Sequence, residues 1–299
     1  MPELEKRSLG NTGMKPKALG IGCAWFGSEK SSDADTEAGL RRAIELGLDF
    51  IDTSAGYGES ERRVGLALSG GYRENVYLQT KAGTHPNFRG DFTAKTIRRS
   101  VENSLRLLKT EYIDSVLIHD PQDIEKPLAP DHALDELLKM KQEGLVGHIG
   151  LGVRQHEFHR RAIETGHIEI ILSYLDYTLL DQSVAETTLP LAKKKGVGII
   201  LASVFGMGSL CGVKPDEDTE KRRNPSGPPK AYKMWEWCNK NGVNIRHLAM
   251  QFCLGAPIDG IVMAGPSNAQ EIDEAYEAAT AIVEPEIWKD FKSKFGVGL

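Results

Sequence analysis

Three apolar runs in the first half of the chain each end in an ionisable side chain. Asp52 ends the first run, Lys81 ends the second and His119 ends the third, while Tyr57 follows Asp52 in a Gly-rich turn. Short apolar runs of this kind are typical of buried strands, and the strands of a parallel barrel end at a common mouth. The spacing therefore predicts an active site at one end of a barrel.

These residue types suit proton transfer. A tyrosine with an unperturbed pKa of about 10 exchanges protons poorly at neutral pH, and a nearby lysine ammonium lowers that pKa. Asp52 would keep Lys81 cationic, Tyr57 would be the general acid or base, and His119 would hydrogen-bond a substrate oxygen. The sequence shows no nucleophile with a paired base and no metal-ligand cluster. Proton transfer with an external redox cofactor is therefore favoured over hydrolysis, although each residue taken alone also has an ordinary structural explanation.

Apolar runs alternate with helical patterns along the whole chain. We predict strands at residues 18–23, 50–53, 76–81, 115–119, 148–153, 170–174, 198–203 and 260–264. Helical patterns include residues 35–46, 93–108, 131–143 and 245–254. Eight such units favour a (β/α)8 TIM barrel that occupies residues 1–299 as a single domain. An open doubly wound sheet would need a glycine fingerprint after the first strand, and residues 20–25 lack its third glycine.

Turn residues predict the boundaries of several elements. Residues 7–16 predict an N-terminal β-hairpin. Asp33 and Asp131 are candidate helix N-caps, and Gly47 and Gly144 are candidate C-terminal stops. Residues 213–230 contain four prolines and a run of charges, which predicts an irregular loop after the seventh strand. This loop is either a surface segment or a flap over the cofactor or substrate.

Composition narrows the class of protein. The chain has 299 residues, 40% of them hydrophobic, and a net charge of -5. This charge gives no basic surface for nucleic acid, and no apolar stretch is long enough to span a membrane. The charged N-terminus lacks the apolar core of a signal peptide, which indicates a cytoplasmic enzyme. The four cysteines are scattered, so we expect reduced and mostly buried thiols. Oligomeric state cannot be inferred from these features.

The sequence resembles the aldo-keto reductases. Residues 52–61 and 65–68 look like the first motif of that family, while Lys81 in residues 79–81 and His119 in residues 118–121 match two further catalytic positions. The resemblance implies a (β/α)8 barrel with a nicotinamide cofactor extended across its C-terminal mouth. It implies that Tyr57 is the proton donor or acceptor, that Lys81 and Asp52 tune it, and that His119 orients the substrate. Trp25 would form an apolar wall of the substrate site, or would simply pack in the core.

The resemblance also implies a set of cofactor contacts. These are Gly22, Cys23, Asp52, Tyr174, Ser203, Phe205, Gly206, Gly208, Gly265, Ser267 and Glu271. Within the set, Gly206 and Gly208, together with Ser209, would donate hydrogen bonds to the pyrophosphate. Gly152 and Val153 replace the Ser-Asn pair that holds the carboxamide in many members, so the backbone or Arg154 would take over. Glu271 stands where NADPH-preferring members often have Arg, which favours NAD over NADP unless Glu271 merely begins a helix.

Short loop motifs resemble those of the aldose 1-dehydrogenase branch. Residues 119–121 and 203–208 carry this likeness. The branch includes enzymes similar to L-fucose, D-threo-aldose and L-galactose dehydrogenases and pyridoxal 4-dehydrogenase, which implies oxidation of a sugar hemiacetal to a lactone. The alternatives are a broad aldehyde or ketone reductase, a lyase with Lys81 as Schiff-base nucleophile, and a non-catalytic nicotinamide sensor.

Overall fold

Eight parallel strands close into a barrel in the order of the chain. The computed structural model describes residues 2–216 and 230–299. Each strand pairs with its neighbours in sequence, and the first also pairs with the eighth. The strands are β1 (Leu19–Gly22), β2 (Phe50–Asp52), β3 (Tyr77–Ala82), β4 (Ile113–His119), β5 (Val146–Gly152), β6 (Ile170–Tyr174), β7 (Gly198–Ala202) and β8 (Gly260–Ala264). The (β/α)8 barrel predicted from the sequence is confirmed.

The strands form where the sequence is apolar because both of their faces are buried. Every residue of β1, β2 and β8 is buried, as expected when a helical layer covers one face and the barrel interior the other. The predicted bounds of β6 and β8 agree with the structure, and the others differ by one or two residues at an end. The largest differences are at the starts of β4 and β5, where a polar or small residue interrupts the apolar run.

Helices surround the barrel and connect successive strands. In the described residues the α-helices are α1 (Asp33–Glu45), α2 (Ser60–Ala67), α3 (Ala94–Leu108), α4 (Glu125–Leu128), α5 (Ala133–Gln142), α6 (His156–Ile163), α7 (Val184–Thr187), α8 (Leu189–Lys195), α9 (Lys230–Lys240), α10 (Ile245–Leu254), α11 (Ala269–Thr280) and α12 (Pro285–Phe295). No described helix is both long enough and apolar enough to cross a bilayer.

Two predicted helix starts are wrong. Ser32, not Asp33, caps α1, because the Ser32 hydroxyl accepts from Asp35 N at 3.1 Å while the Asp35 carboxylate accepts from Ser32 N at 3.0 Å. Asp131 precedes the N-cap of α5 and has a left-handed backbone with φ 56°. The predicted stops at Gly47 and Gly144 are confirmed, since both lie just past a helix end with positive φ.

The N-terminal arm closes the barrel at the end where the strands begin. Its two halves pair antiparallel through a bridge between Lys6 and Lys17, as the predicted hairpin requires. Leu9, at its tip, is fully buried in one cluster with apolar side chains of the barrel interior, such as Phe50 and Ile200. The backbone passes so close to β7 that a Cβ on Gly10 would lie 2.3 Å from Gly198 N. The arm therefore completes the interior core far from the strand ends that carry the ionisable residues.

The predicted loop at residues 213–230 is only partly described. Residues 213–216 are irregular, and α9 begins at Lys230. The rest of the segment, residues 217–229, lies outside the described residues.

Candidate active site

The barrel brings the predicted ionisable residues to one mouth. Asp52 ends β2 and His119 ends β4, while Lys81 is the second-last residue of β3. Side chains alternate along a strand, so Gln79 and Lys81 share the interior face of β3. The parallel register pairs Asp52 with Gln79 and Lys81 with Leu117. Tyr57 reaches the same mouth from the turn between β2 and α2.

Lys81 and Asp52 form a buried ion pair. Lys81 Nζ lies 2.5 Å from Asp52 Oδ2 and donates to Thr53 O at 2.8 Å, and neither side chain is more than 2% exposed. Burial opposes the charge on Lys81, but the Asp52 carboxylate and Tyr57 outweigh burial and raise the pKa of the ammonium. Burial raises the pKa of the Asp52 carboxyl, against the effect of Lys81 and Gln79. A cationic lysine locked in this way is a poor Schiff-base nucleophile, which needs a neutral amine.

Tyr57 lies directly over this ion pair. Lys81 Nζ is 4.6 Å from the centroid of the tyrosine ring. The ammonium lowers the pKa of the phenol as expected, but burial has the larger effect and the pKa of Tyr57 is raised. The expectation of a lowered pKa for Tyr57 is therefore corrected. At neutral pH Tyr57 is a protonated phenol that can act as a general acid.

His119 faces Tyr57 as a neutral imidazole. The two rings meet edge to face with centroids 5.6 Å apart. Burial, together with the charges of Lys81 and Arg89, holds the pKa of His119 well below its usual 6.5. The Thr84 hydroxyl lies 2.7 Å from His119 Nδ1 and the Ser54 hydroxyl 3.1 Å from it.

These contacts assign the tautomer of His119. Ser54 Oγ already accepts from Gly56 N at 3.0 Å, so its own proton is available to Nδ1. We therefore assign Nδ1 as the acceptor and place the ring proton on Nε2. An Nε2 donor is what a substrate oxygen requires.

Glycine permits the close approach that holds the Tyr57 turn. A Cβ on Gly27 would lie 1.6 Å from Tyr57 O, and one on Gly58 would lie 2.5 Å from Gly27 O. The turn is also tied to the loop after β1 by Glu59 N, which donates to Gly27 O at 3.2 Å. The position of Tyr57 thus depends on two backbone segments in direct contact.

A cavity of about 990 Å³ opens at this mouth. It is lined by most of the residues predicted to bind cofactor or substrate: Gly22, Trp25, Asp52, Tyr57, Lys81, His119, Tyr174, Ser203, Phe205, Gly208, Gly265, Ser267 and Glu271. Cys23 and Gly206 do not line it, and Cys23 is fully buried. Trp25 is 50% exposed, so its side chain forms part of the wall and not of the core.

The backbone amides predicted to bind the pyrophosphate after β7 are hydrogen-bonded within their own turn. Gly206 N and Gly208 N donate to Ser203 O at 2.8 Å and Phe205 O at 3.1 Å, and Ser209 N donates to Gly206 O at 3.3 Å. These amides form the turn itself, in which Ser203 and Met207 have positive φ. The sequence pattern indicated a glycine-rich loop, but it did not show in which direction the backbone amides of the loop point.

Glu271 lines the cavity after β8, which is opposite β4 and His119 in the closed barrel. Its carboxylate accepts from Ser267 N at 2.7 Å and from Ser267 Oγ at 3.0 Å. The carboxylate therefore accepts hydrogen bonds at the N-terminus of α11 and also presents a negative charge to the cavity. Arg154 does not line the cavity, and its guanidinium lies 3.3 Å from Asp181 Oδ2.

Several polar residues at the mouth were not identified from the sequence. Gln79 Nε2 donates to Asp52 Oδ1 at 2.7 Å, and Ser115 Oγ donates to Gln79 Oε1 at 2.9 Å. A glutamine two residues before Lys81 in an apolar run was a signal for this contact. Thr84, Arg89 and Asp120 also line the cavity. Nothing in the local pattern indicated Thr84 or Arg89, and Asp120 was noted only as part of the 119–121 motif and not as a site residue.

The cavity suits an extended nicotinamide cofactor. It runs continuously from the ionisable cluster at the ends of β2 to β4 to the N-terminus of α11, with Trp25 and Phe205 on its wall. The aromatic side chains of Trp25 and Phe205 can accommodate a nicotinamide ring or a ribose, and the N-terminus of α11 favours a polar group. The residues present therefore fit such a group.

Comparison with known proteins shows the family. Residues 18–294 match the Aldo/keto reductase family, and the chain belongs to it. It is 32% identical to L-galactose dehydrogenase of Arabidopsis thaliana over 94% of this chain and 90% of that one. It is 28% identical to D-threo-aldose 1-dehydrogenase of a Pseudomonas species over 93% and 94% of the two chains.

A solved structure supports the fold. A holo aldo-keto reductase from Bacillus halodurans superposes with a TM-score of 0.80 at 22% identity, covering 98% of this chain and 96% of that one. Membership in the Aldo/keto reductase family makes the chain an oxidoreductase that acts on alcohol and carbonyl groups of small molecules with a nicotinamide cofactor.

Proposed function

We propose that this protein is an NAD-preferring aldose dehydrogenase that oxidises the anomeric carbon of a sugar hemiacetal to a lactone. The observation that carries the proposal is the convergence of Tyr57, Lys81, Asp52 and His119 in a cavity of about 990 Å³ that also reaches the N-terminus of α11. The names of two relatives, a galactose and an aldose dehydrogenase, support the choice of substrate class.

Each of the four residues has one task. His119 Nε2 donates to the anomeric oxygen and orients it, and Tyr57 takes the hydroxyl proton. Lys81 stabilises the phenolate that Tyr57 needs for this, and Asp52 keeps Lys81 charged and in place. The bound nicotinamide supplies the hydride acceptor. In the reverse direction Tyr57 gives its proton to a carbonyl oxygen.

We propose that Glu271 favours NAD over NADP. Its carboxylate would repel a 2′-phosphate and accept a hydrogen bond from a ribose hydroxyl. We expect the wild-type kcat/KM for NAD to exceed that for NADP. Glu271→Gln should lower the NAD-to-NADP ratio of kcat/KM about fivefold, because it removes one negative charge near the position of the phosphate. Glu286→Gln, which removes an exposed carboxylate from α12, is the control and should leave the ratio unchanged. A wild-type preference for NADP would contradict the assignment.

A broad aldehyde or ketone reductase that uses NADPH is the second candidate. The raised pKa of Tyr57 favours it, because a protonated phenol is ready to reduce a carbonyl at neutral pH. The other residues would keep their tasks.

A substrate panel tests the two candidates. NADH formation would be measured with pyranoses and pyridoxal, and NADPH consumption with simple aldehydes and ketones, using Tyr57→Phe as the blank. Turnover of one or more aldoses with NAD at a kcat/KM above that for any simple aldehyde supports the dehydrogenase. Turnover of aldehydes alone would reject it in favour of the reductase.

A further inference from the structure

Asp120 occupies an unusual position beside the catalytic cluster. It directly follows His119 and has a left-handed backbone with φ 42°, a conformation that aspartate tolerates better than most residues. Asp120 N donates to Gly152 O at 2.9 Å, which fixes the backbone at the end of β5. This geometry turns the carboxylate into the cavity, where it forms part of the lining.

The Asp120 carboxylate has acceptor capacity to spare. Tyr174 OH is 3.4 Å from Oδ1, and His119 Nε2 is 3.5 Å from Oδ2, both long for hydrogen bonds to a charged oxygen. A carboxylate offers about four acceptor sites. The side chain is 36% exposed, and partial burial raises the pKa of the carboxyl. A partly desolvated carboxylate with only long contacts favours an incoming donor.

The location of the Asp120 carboxylate indicates which substrate group would donate to it. His119 Nε2 is the atom assigned to the reacting oxygen, and Asp120 Oδ2 lies within 3.5 Å of it. When the reacting oxygen accepts from His119 Nε2, a hydroxyl on the adjacent carbon is the substrate group that can reach Asp120 Oδ2. Arg89 also lines the cavity, and its charge acts on both His119 and Asp120, so it can donate to that hydroxyl or to the next one. Acceptor and donor together suit a neutral polyhydroxylated chain or ring.

We infer that Asp120 is a specificity-determining residue that accepts a hydrogen bond from the hydroxyl adjacent to the reacting carbon. The site thereby selects 2-hydroxy aldehydes and aldoses over unsubstituted aldehydes. A charge-assisted hydrogen bond of this kind is about twice as strong as a neutral one. This inference rests on the proposed function, because it specifies the substrate of the same site.

The test compares two aldehydes of equal chain length. Glyceraldehyde carries the adjacent hydroxyl and propanal does not, and the reduction of both with reduced cofactor would be measured as kcat/KM. We expect wild type to favour glyceraldehyde at least tenfold. Asp120→Asn tolerates the same backbone and should reduce the glyceraldehyde-to-propanal ratio about tenfold. Asp120→Gly, which keeps the positive φ and removes the acceptor, should bring the ratio close to one.

A matched control is available in the same chain. Asp131 also has a left-handed backbone, with φ 56°, but its side chain is 90% exposed and lies outside the cavity. Asp131→Asn should leave the ratio at the wild-type value. Folding and cofactor affinity would be followed by thermal unfolding and by quenching of tryptophan fluorescence on titration with NAD and NADPH.

Three results would overturn the inference. One is a wild-type enzyme with no preference for glyceraldehyde. Another is an equal fall in kcat/KM for both aldehydes in Asp120→Asn, which would mean that Asp120 acts through His119. The third is an equal loss accompanied by weaker cofactor binding, which would place the carboxylate on the nicotinamide side. Suppose that no aldose is oxidised with NAD, but Asp120→Asn lowers the glyceraldehyde-to-propanal ratio of kcat/KM as expected. The proposed function then fails and this inference stands.

Discussion

At the scale of residues, the site combines a buried ion pair with two neutral groups. Lys81 and Asp52 hold their charges beneath the tyrosine ring, while Tyr57 and His119 are both uncharged at neutral pH. Because the charged pair is fixed, the proposed mechanism assigns the mobile proton to Tyr57. In that mechanism the histidine only donates a hydrogen bond.

This charge distribution predicts the pH dependence of the two directions. Reduction needs the phenol, so its rate should be level through neutral pH and fall only above the raised pKa of Tyr57. Oxidation needs the phenolate, so its rate should rise about tenfold per pH unit below that pKa. His119 is already neutral, so neither profile should bend near 6.5.

The measurement is kcat/KM for each direction from about pH 5.5 to about 9.5, across the range in which an ordinary histidine titrates. A loss of reduction as the pH rises through about 6.5 would show that a protonated histidine is required. That result would contradict the assignment of His119 as a neutral donor.

At the scale of elements, the site depends on loops that meet beyond the strand ends. The Tyr57 turn rests on the loop after β1, with the Cα of Gly27 against Tyr57 O. Displacement of one loop should therefore reduce activity while the barrel remains folded.

Gly27→Ala tests this dependence. Its new Cβ would lie 1.6 Å from Tyr57 O, so the turn must move, and we expect kcat to fall at least tenfold, because a displacement of about 1 Å can cost a hundredfold. Gly13→Ala is the control: it strains a backbone with φ 81° but meets nothing within 4 Å. An unchanged kcat in Gly27→Ala would show that the turn tolerates movement.

The sequence was most informative where burial determines structure. Apolar runs predicted the strands correctly because both faces of each strand are buried. The ionisable residues at the strand ends could be identified because they interrupt those apolar runs. The pattern could not show that Ser32 rather than Asp33 caps α1, since both residues are good caps and only hydrogen-bond geometry separates them. Nor could it show that the amides of Gly206 and Gly208 are used within their own turn. Thr84 and Asp120 acquire their positions through loop conformation, which local sequence does not determine.

At the scale of the whole molecule, the barrel separates stability from chemistry. Leu9 and Phe50 lie at the end of the interior cluster where the strands begin and do not line the cavity, whereas the ionisable residues lie at the opposite mouth. Substitutions at that end of the core should change the free energy of unfolding without changing turnover.

Leu9→Ala tests that separation. Leu9 is fully buried, so its truncation should lower the free energy of unfolding by about 3 kcal/mol through lost burial and a residual cavity. Ile282→Ala, at a side chain 88% exposed, should change it by less than about 0.5 kcal/mol. Urea unfolding and kcat would be measured for both. A matching fall in kcat for Leu9→Ala would show that the arm influences the site.

The central claim is that Tyr57 exchanges the proton with the substrate. Tyr57→Phe removes only the hydroxyl and keeps the ring above Lys81, so folding and cofactor binding should match wild type. The single most direct measurement is the kcat of this variant, which we expect to fall by about a thousandfold in both directions, within the range for loss of a general acid–base group. A kcat within a few-fold of wild type would contradict the account.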